Sequence, residues 1–206
     1  MINKAGKILA VIYHPIFYIW YLTLVIYLKP IIESNSTFLV DTELLAFNGL
    51  VFLFTVLIPV LSVYFLTHDL NLSDRKKRSL PIGITITSYI VCFFALKELF
   101  KGDDEIMPIF VIFLAVTIIG LGSLWLINLF YKISMHGMGI GVITPILIMG
   151  IFNDKSLSHV IVFCTLLIFA ILVLIQRVTS KSHTISEVVS GFVLGSATVF
   201  TIAKLI

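Results

Sequence analysis

Apolar residues run almost without a break along this 206-residue chain, and polar interruptions divide it into seven segments, about 8–30, 44–67, 81–100, 107–130, 138–152, 158–176 and 187–205. A helix needs about 20 mostly apolar residues to cross the hydrocarbon of a bilayer, and most of these segments are long enough. They are continuously apolar rather than alternating, which favours helices over a closed barrel, the other structure that can span lipid. The pattern predicts an all-α protein, a polytopic transmembrane bundle of six to seven helices. The fifth segment is short and carries Gly139, Gly141, Pro145 and Gly150, so it is expected to tilt, break or be sheltered by its neighbours. The last carries Gly191, Gly195, Ser196 and Ala197, small residues that let helices approach closely. Pro15, Pro59 and Pro145 lie inside apolar runs, where proline kinks a helix. No linker, repeat or low-complexity tract interrupts the pattern, so a single membrane domain over 1–206 is expected.

Composition strengthens the membrane assignment. The chain is 59% hydrophobic and 12% charged, with a mean hydropathy of +1.13. Soluble domains average about 45–50% apolar and about 25% charged. The net charge of +3 is modest, and the basic residues lie in separate loops, which argues against nucleic acid as a partner. Cys92 and Cys164 both sit in apolar runs and read as small hydrophobes rather than a disulfide. Lys4 and Lys7 ahead of an apolar run resemble a secretory signal, but the run is too long and no small-x-small site follows it. A retained first helix is the expectation.

The polar residues gather in three clusters: Arg75-Lys76-Lys77-Arg78, then Lys132 to Gly137, then Gln176 to Glu187. Two apolar segments separate each cluster from the next, so spanning segments would bring all three to one membrane face. The opposite face would receive mostly acidic residues, among them Glu33, Asp41, Asp103, Asp104 and Glu105. The positive-inside rule then turns the clusters toward the cytoplasm.

Each cluster has a chemical and a plain reading. In the third, Glu187 follows His183 by four positions, so it falls about one turn along a helix starting near Thr184 and can orient the imidazole. Arg177 offers a planar fork suited to phosphate oxygens. Thr184-x-x-Glu187 is equally a capping box, and the two roles are compatible. In the second, Ser134 and His136 stand beside Gly137 and Gly139. Small residues allow backbone amides to approach an anion, and a histidine can protonate a leaving alkoxide. In the first, Arg75 and Arg78 share a face if the turn is helical, while a basic run before a span also serves as a topology signal or a lipid contact. His14 has no matching partner in the sequence and reads as interfacial.

In order along the chain, these clusters resemble the type 2 phosphatidic-acid phosphatase superfamily, in a divergent bacterial-type form. That family carries a basic stretch ending in Arg-Pro, then Ser-Gly-His, then Ser-Arg, five residues, His, three residues and Asp. Ser134-Met135-His136 resembles the middle element, and Gln176-Arg177, five residues, His183, three residues, Glu187 resembles the last. The likeness covers about residues 68–195. It implies a lipid phosphatase of an inner (cytoplasmic) membrane acting on a lipid mono- or diphosphate, with no metal or other cofactor. His183 would be the nucleophile, Glu187 its orienter and His136 the general acid. Arg177, Ser134, Arg75, Lys77 and Arg78 would grip the phosphoryl oxygens. The chain departs from the pattern at Leu80 before Pro81, at Met135, at Gln176 and at Glu187. These departures keep open an inactive lipid-binding scaffold of the same fold. His68-Asp69 with Asp74-Arg75 also looks somewhat like an aspartate-rich loop of magnesium-dependent membrane prenyltransferases, a weaker alternative.

Overall fold

The computed structural model describes residues 6, 8, 10–21, 23–24, 42–67, 74–99, 107–153 and 157–204. Every regular element among them is helical. In chain order these are α1 (Thr42–Phe52), a π turn (Leu53–Leu57), α2 (Ile58–Thr67), a 3-10 turn (Lys76–Arg78), α3 (Ser79–Leu99), α4 (Met107–Asn128), α5 (Met135–Asn153), α6 (Leu157–Thr179) and α7 (Ile185–Ala203). The protein is an all-α helical bundle, as the hydrophobic pattern predicts. Four stretches are long and apolar enough to cross a membrane: Leu45–Leu66, Lys76–Leu99, Phe110–Asn128 and Val160–Thr179. Two shorter apolar helical stretches, Met135–Ile148 and Ile185–Thr201, accompany them. His68, Asp69 and the acidic residues at 33, 41 and 103–105 lie outside the described residues.

The first segment is not one helix. Its helical residues stop at Ile12, and a 3-10 turn, Pro15–Phe17, follows His14 before helix resumes at Tyr18. Proline disfavours helical geometry in the residue before it, so Pro15 breaks the segment at His14 rather than bending it.

The chain's contacts cluster in two compact units, Ile16–Trp125 and Met1–Pro15 with Leu126–Ile206. In the first, Ile19, Phe47, Val51, Tyr89, Cys92, Leu96, Phe110 and Leu114 form a buried core, with the Phe47 and Phe110 rings edge to face at 4.7 Å. The π turn here has a clear cause. Pro59 has no N–H for the Thr55 carbonyl, and its ring crowds that group. The helix widens ahead of it, so the Ile58 N–H reaches Leu53 instead of Phe54. Two carbonyls lose their helical partners, and α3 supplies both replacements. The Tyr89 hydroxyl donates to the Thr55 carbonyl at 3.2 Å, and the Ser88 hydroxyl to that of Phe54. Both Thr55 and Tyr89 are fully buried. Tyr89→Phe strands the Thr55 carbonyl and is expected to cost about 1–3 kcal/mol, read as a lower midpoint of unfolding in detergent.

In the second unit, α5 and α7 carry Gly137, Gly141 and Gly191, Gly195, each pair one turn apart. A Cβ at Gly137 would lie 2.5 Å from the Val188 carbonyl oxygen, and one at Gly141 would meet the Phe192 carbonyl. Cβ atoms at Gly191 and Gly195 would meet the Ser134 and Met138 carbonyls. Contacts advance together along both helices, so α5 and α7 run parallel with their first turns side by side. Pro145 removes the helical donor of the Gly141 carbonyl, and the Ser196 hydroxyl of α7 donates to it at 3.0 Å. A proline defect thus becomes a cross-helix bond in both units.

Candidate active site

The parallel packing of α5 and α7 brings together the second and third polar clusters. The Ser134 N–H donates to the Glu187 carbonyl at 3.0 Å, joining the two helix starts directly. Ser134 is also the cap of α5, its hydroxyl accepting the Gly137 N–H at 3.1 Å. That bond satisfies one of the orphan donors of a first turn. Thr184 and Glu187 form a reciprocal capping box. The Glu187 N–H reaches the Thr184 hydroxyl, and the Thr184 N–H reaches Glu187 Oε2, both at 3.3 Å.

The same carboxylate oxygen accepts from His183 Nδ1 at 2.7 Å. Glu187 therefore caps α7 and orients the imidazole at once. With the Nδ1 proton engaged, Nε2 becomes the lone-pair nitrogen of neutral His183. The His183 backbone is fixed as well, its N–H reaching the Arg177 carbonyl at 3.2 Å. This closure requires the chain to reverse just past α6, and Lys181 takes a left-handed φ of 54° to do so. Lys132 completes the group. Its ammonium donates to the Ser182 carbonyl at 2.9 Å and stands 3.7 Å from Glu187 Oε2. Lys132, Lys181, Ser182, His183, Thr184 and Glu187 line a cleft of about 370 Å³.

His136 sits deeper. It is buried, and its Nε2 meets the Ala10 carbonyl at 2.8 Å. The His14 ring stands edge-on to it, centroids 4.9 Å apart. Burial, then His14 and Arg177, hold the His136 ring well below the usual imidazole range, and His183 adds to the same effect. His14 is therefore a partner of His136 rather than a lone interfacial residue, a link made only by folding the amino-terminal segment onto this unit. The Arg177 Nε is buried and donates to no acceptor among the described residues. An unpaired buried guanidinium N–H is costly, and it sits one residue from Gln176, whose Oε1 is likewise buried without a donor there.

Of the predicted site residues, His183, Glu187, Arg177, Ser134 and His136 occur in one unit. Arg75, Lys77 and Arg78 belong to the other, on the 3-10 turn and the residue before it. Arg78 is buried, Arg75 half-buried and Lys77 exposed, and Asp74 accepts the Lys76 N–H at 2.9 Å. Sequence reasoning gave Lys132 no role beyond opening the second cluster and read His14 as interfacial. Lys132 lies two positions before Ser134, the one available hint. No protein-family model, no curated protein and no solved structure matches the chain.

Proposed function

We propose that this chain is a membrane lipid phosphatase resembling the type 2 phosphatidic-acid phosphatases. It hydrolyses a lipid mono- or diphosphate through a phosphohistidine in a bacterial inner membrane. The observation that carries this reading is the 2.7 Å pairing of His183 with Glu187 on the wall of an open cleft. A histidine whose Nδ1 is held by a carboxylate has the arrangement of a nucleophile and its orienter. Support also comes from Arg177, whose buried Nε has no acceptor among the described residues and suits an anionic oxygen. The apolar helices that carry the site suit a long-tailed substrate.

In this mechanism His183 Nε2 attacks phosphorus and the bond from phosphorus to the lipid oxygen breaks. The departing oxygen takes a proton from His136. Water then attacks the phosphoryl group, the N–P bond breaks, His136 recovers the water proton, and inorganic phosphate leaves. Burial and the nearby Arg177 guanidinium disfavour the charged form of His136, so the substrate's own negative charge must raise its proton affinity before it serves as an acid. Arg177 would stabilise charge on the phosphoryl oxygens.

The test is release of inorganic phosphate from a panel of lipid phosphates in chelator. Glu187→Gln keeps an oxygen for the Thr184 N–H but removes the anion beside His183. It is expected to lower kcat by about 100-fold or more, with little change in the unfolding midpoint. An equal loss of both would reduce Glu187 to its capping role.

A second reading, a lipid-binding scaffold without turnover, is favoured by one observation. His136 and Ser134 are both engaged in structural bonds, to the Ala10 carbonyl and the Gly137 N–H. Binding of lipid phosphates without release of phosphate would support it.

A further inference from the structure

We propose that Lys132 is a positioning residue for His183, acting through the Glu187 carboxylate and the Ser182 carbonyl; this rests on the phosphatase reading above. Lys132 belongs to the short connection between α4 and α5, yet its ammonium crosses to the start of α7. One donor holds the Ser182 carbonyl at 2.9 Å, immediately before His183, and the charge stands 3.7 Å from Glu187 Oε2. Glu187 Oε2 is the same atom that binds His183 Nδ1. Lys132 therefore fixes both sides of the histidine, the backbone leading into it and the carboxylate that orients its ring. Its side chain is partly exposed, at 28%, against 14% for Glu187, so the pair is screened only in part.

The charge has a second consequence. His183 is faced by Glu187 from its own helix start, by Lys132 from the α4–α5 connection, and by Lys181 just past the end of α6, which lines the same cleft; Arg177 meets it through its backbone carbonyl. His136 on α5 interacts with it electrostatically. Glu187 favours the protonated imidazole, whereas Lys132 and the other cations disfavour it. Lys132 thus helps to keep the nucleophile neutral while Glu187 keeps it oriented. Loss of the cation leaves the carboxylate unopposed, so the imidazolium is favoured and the nucleophile is lost at higher pH than before.

The experiment compares the full chain with Lys132→Met and Lys132→Arg in detergent micelles containing phosphatidate and chelator. kcat/KM is followed across the imidazole titration range, and the His183 ring is titrated by NMR in the same proteins. Lys132→Met, which keeps an apolar stem, is expected to lose roughly tenfold in kcat/KM. Its acidic limb and the His183 titration should both move up by roughly half a pH unit. Lys132→Arg keeps the charge and a donor, and should restore both toward wild type. A wild type that releases no phosphate sinks the phosphatase reading, while the NMR arm still decides the role of Lys132. An unmoved His183 titration in Lys132→Met overturns the inference, because a lysine that only braced the loop would leave it unchanged.

Discussion

Replacing His183 with alanine is expected to reduce phosphate release from a lipid phosphate by about 10⁴-fold or more, to the background rate. The expected size follows from the role: without the nucleophile no phosphoenzyme forms, and water must attack directly. The fold should survive. Glu187 keeps its capping bonds with Thr184, and Lys132 keeps its bond to the Ser182 carbonyl. The His136→Ala loss should be smaller, about 10²–10⁴-fold, the range for general acid–base assistance. Its defect belongs mainly to the first step, where the lipid oxygen leaves. Equal, small effects from both substitutions would contradict the phosphohistidine mechanism.

The second large effect concerns the helix pair that carries the site. Gly195→Val is expected to destabilise the protein by about 3 kcal/mol or more and to abolish activity with it. Overpacking a core usually costs about 1–3 kcal/mol, with flexible side chains absorbing part of the strain. At Gly195 the obstacles are backbone atoms of α5: the Met138 carbonyl, the Val142 nitrogen at 2.8 Å and the Gly141 carbonyl carbon at 3.0 Å. No rotamer change moves them. The helices must separate, which also pulls the Ser134 N–H from the Glu187 carbonyl. Gly122→Ala is the matched control. A Cβ there meets nothing within 4 Å, so the helix gains up to about 1 kcal/mol in propensity. Both are measured as unfolding midpoints in detergent. Equal midpoints for the two variants would contradict the close α5–α7 contact.

The sequence announces these helices because their apolarity is continuous, a signal that needs no knowledge of neighbours. The start of α7 was equally legible, since Thr184 and Glu187 are local partners in a capping box. The His183–Glu187 bond follows from the same spacing of four. What escaped the sequence depends on lateral packing. Nothing local says that Gly137 and Gly141 face Gly191 and Gly195, although each pair is spaced for it. His14 looked solitary because its partner His136 is 122 positions away. Lys132 looked like one cation among many because its targets lie on the far side of α5 and α6 in sequence. Pro15 was read as a kink, yet it ends the helix at His14 and falls where the two units divide. Arg78, read as a phosphate-gripping residue or as part of a topology or lipid-contact run, is buried, which a count of basic residues does not reveal.

The phosphoryl group itself offers the most direct test. Purified protein is mixed with lipid phosphate labelled in its phosphoryl group, quenched in alkali where phosphohistidine persists, and digested for mass spectrometry. The mechanism predicts label on His183, absent from His183→Ala and accumulated in any variant whose second step is slowed. Rapid phosphate release with no label on His183, or with label on another residue, would contradict it.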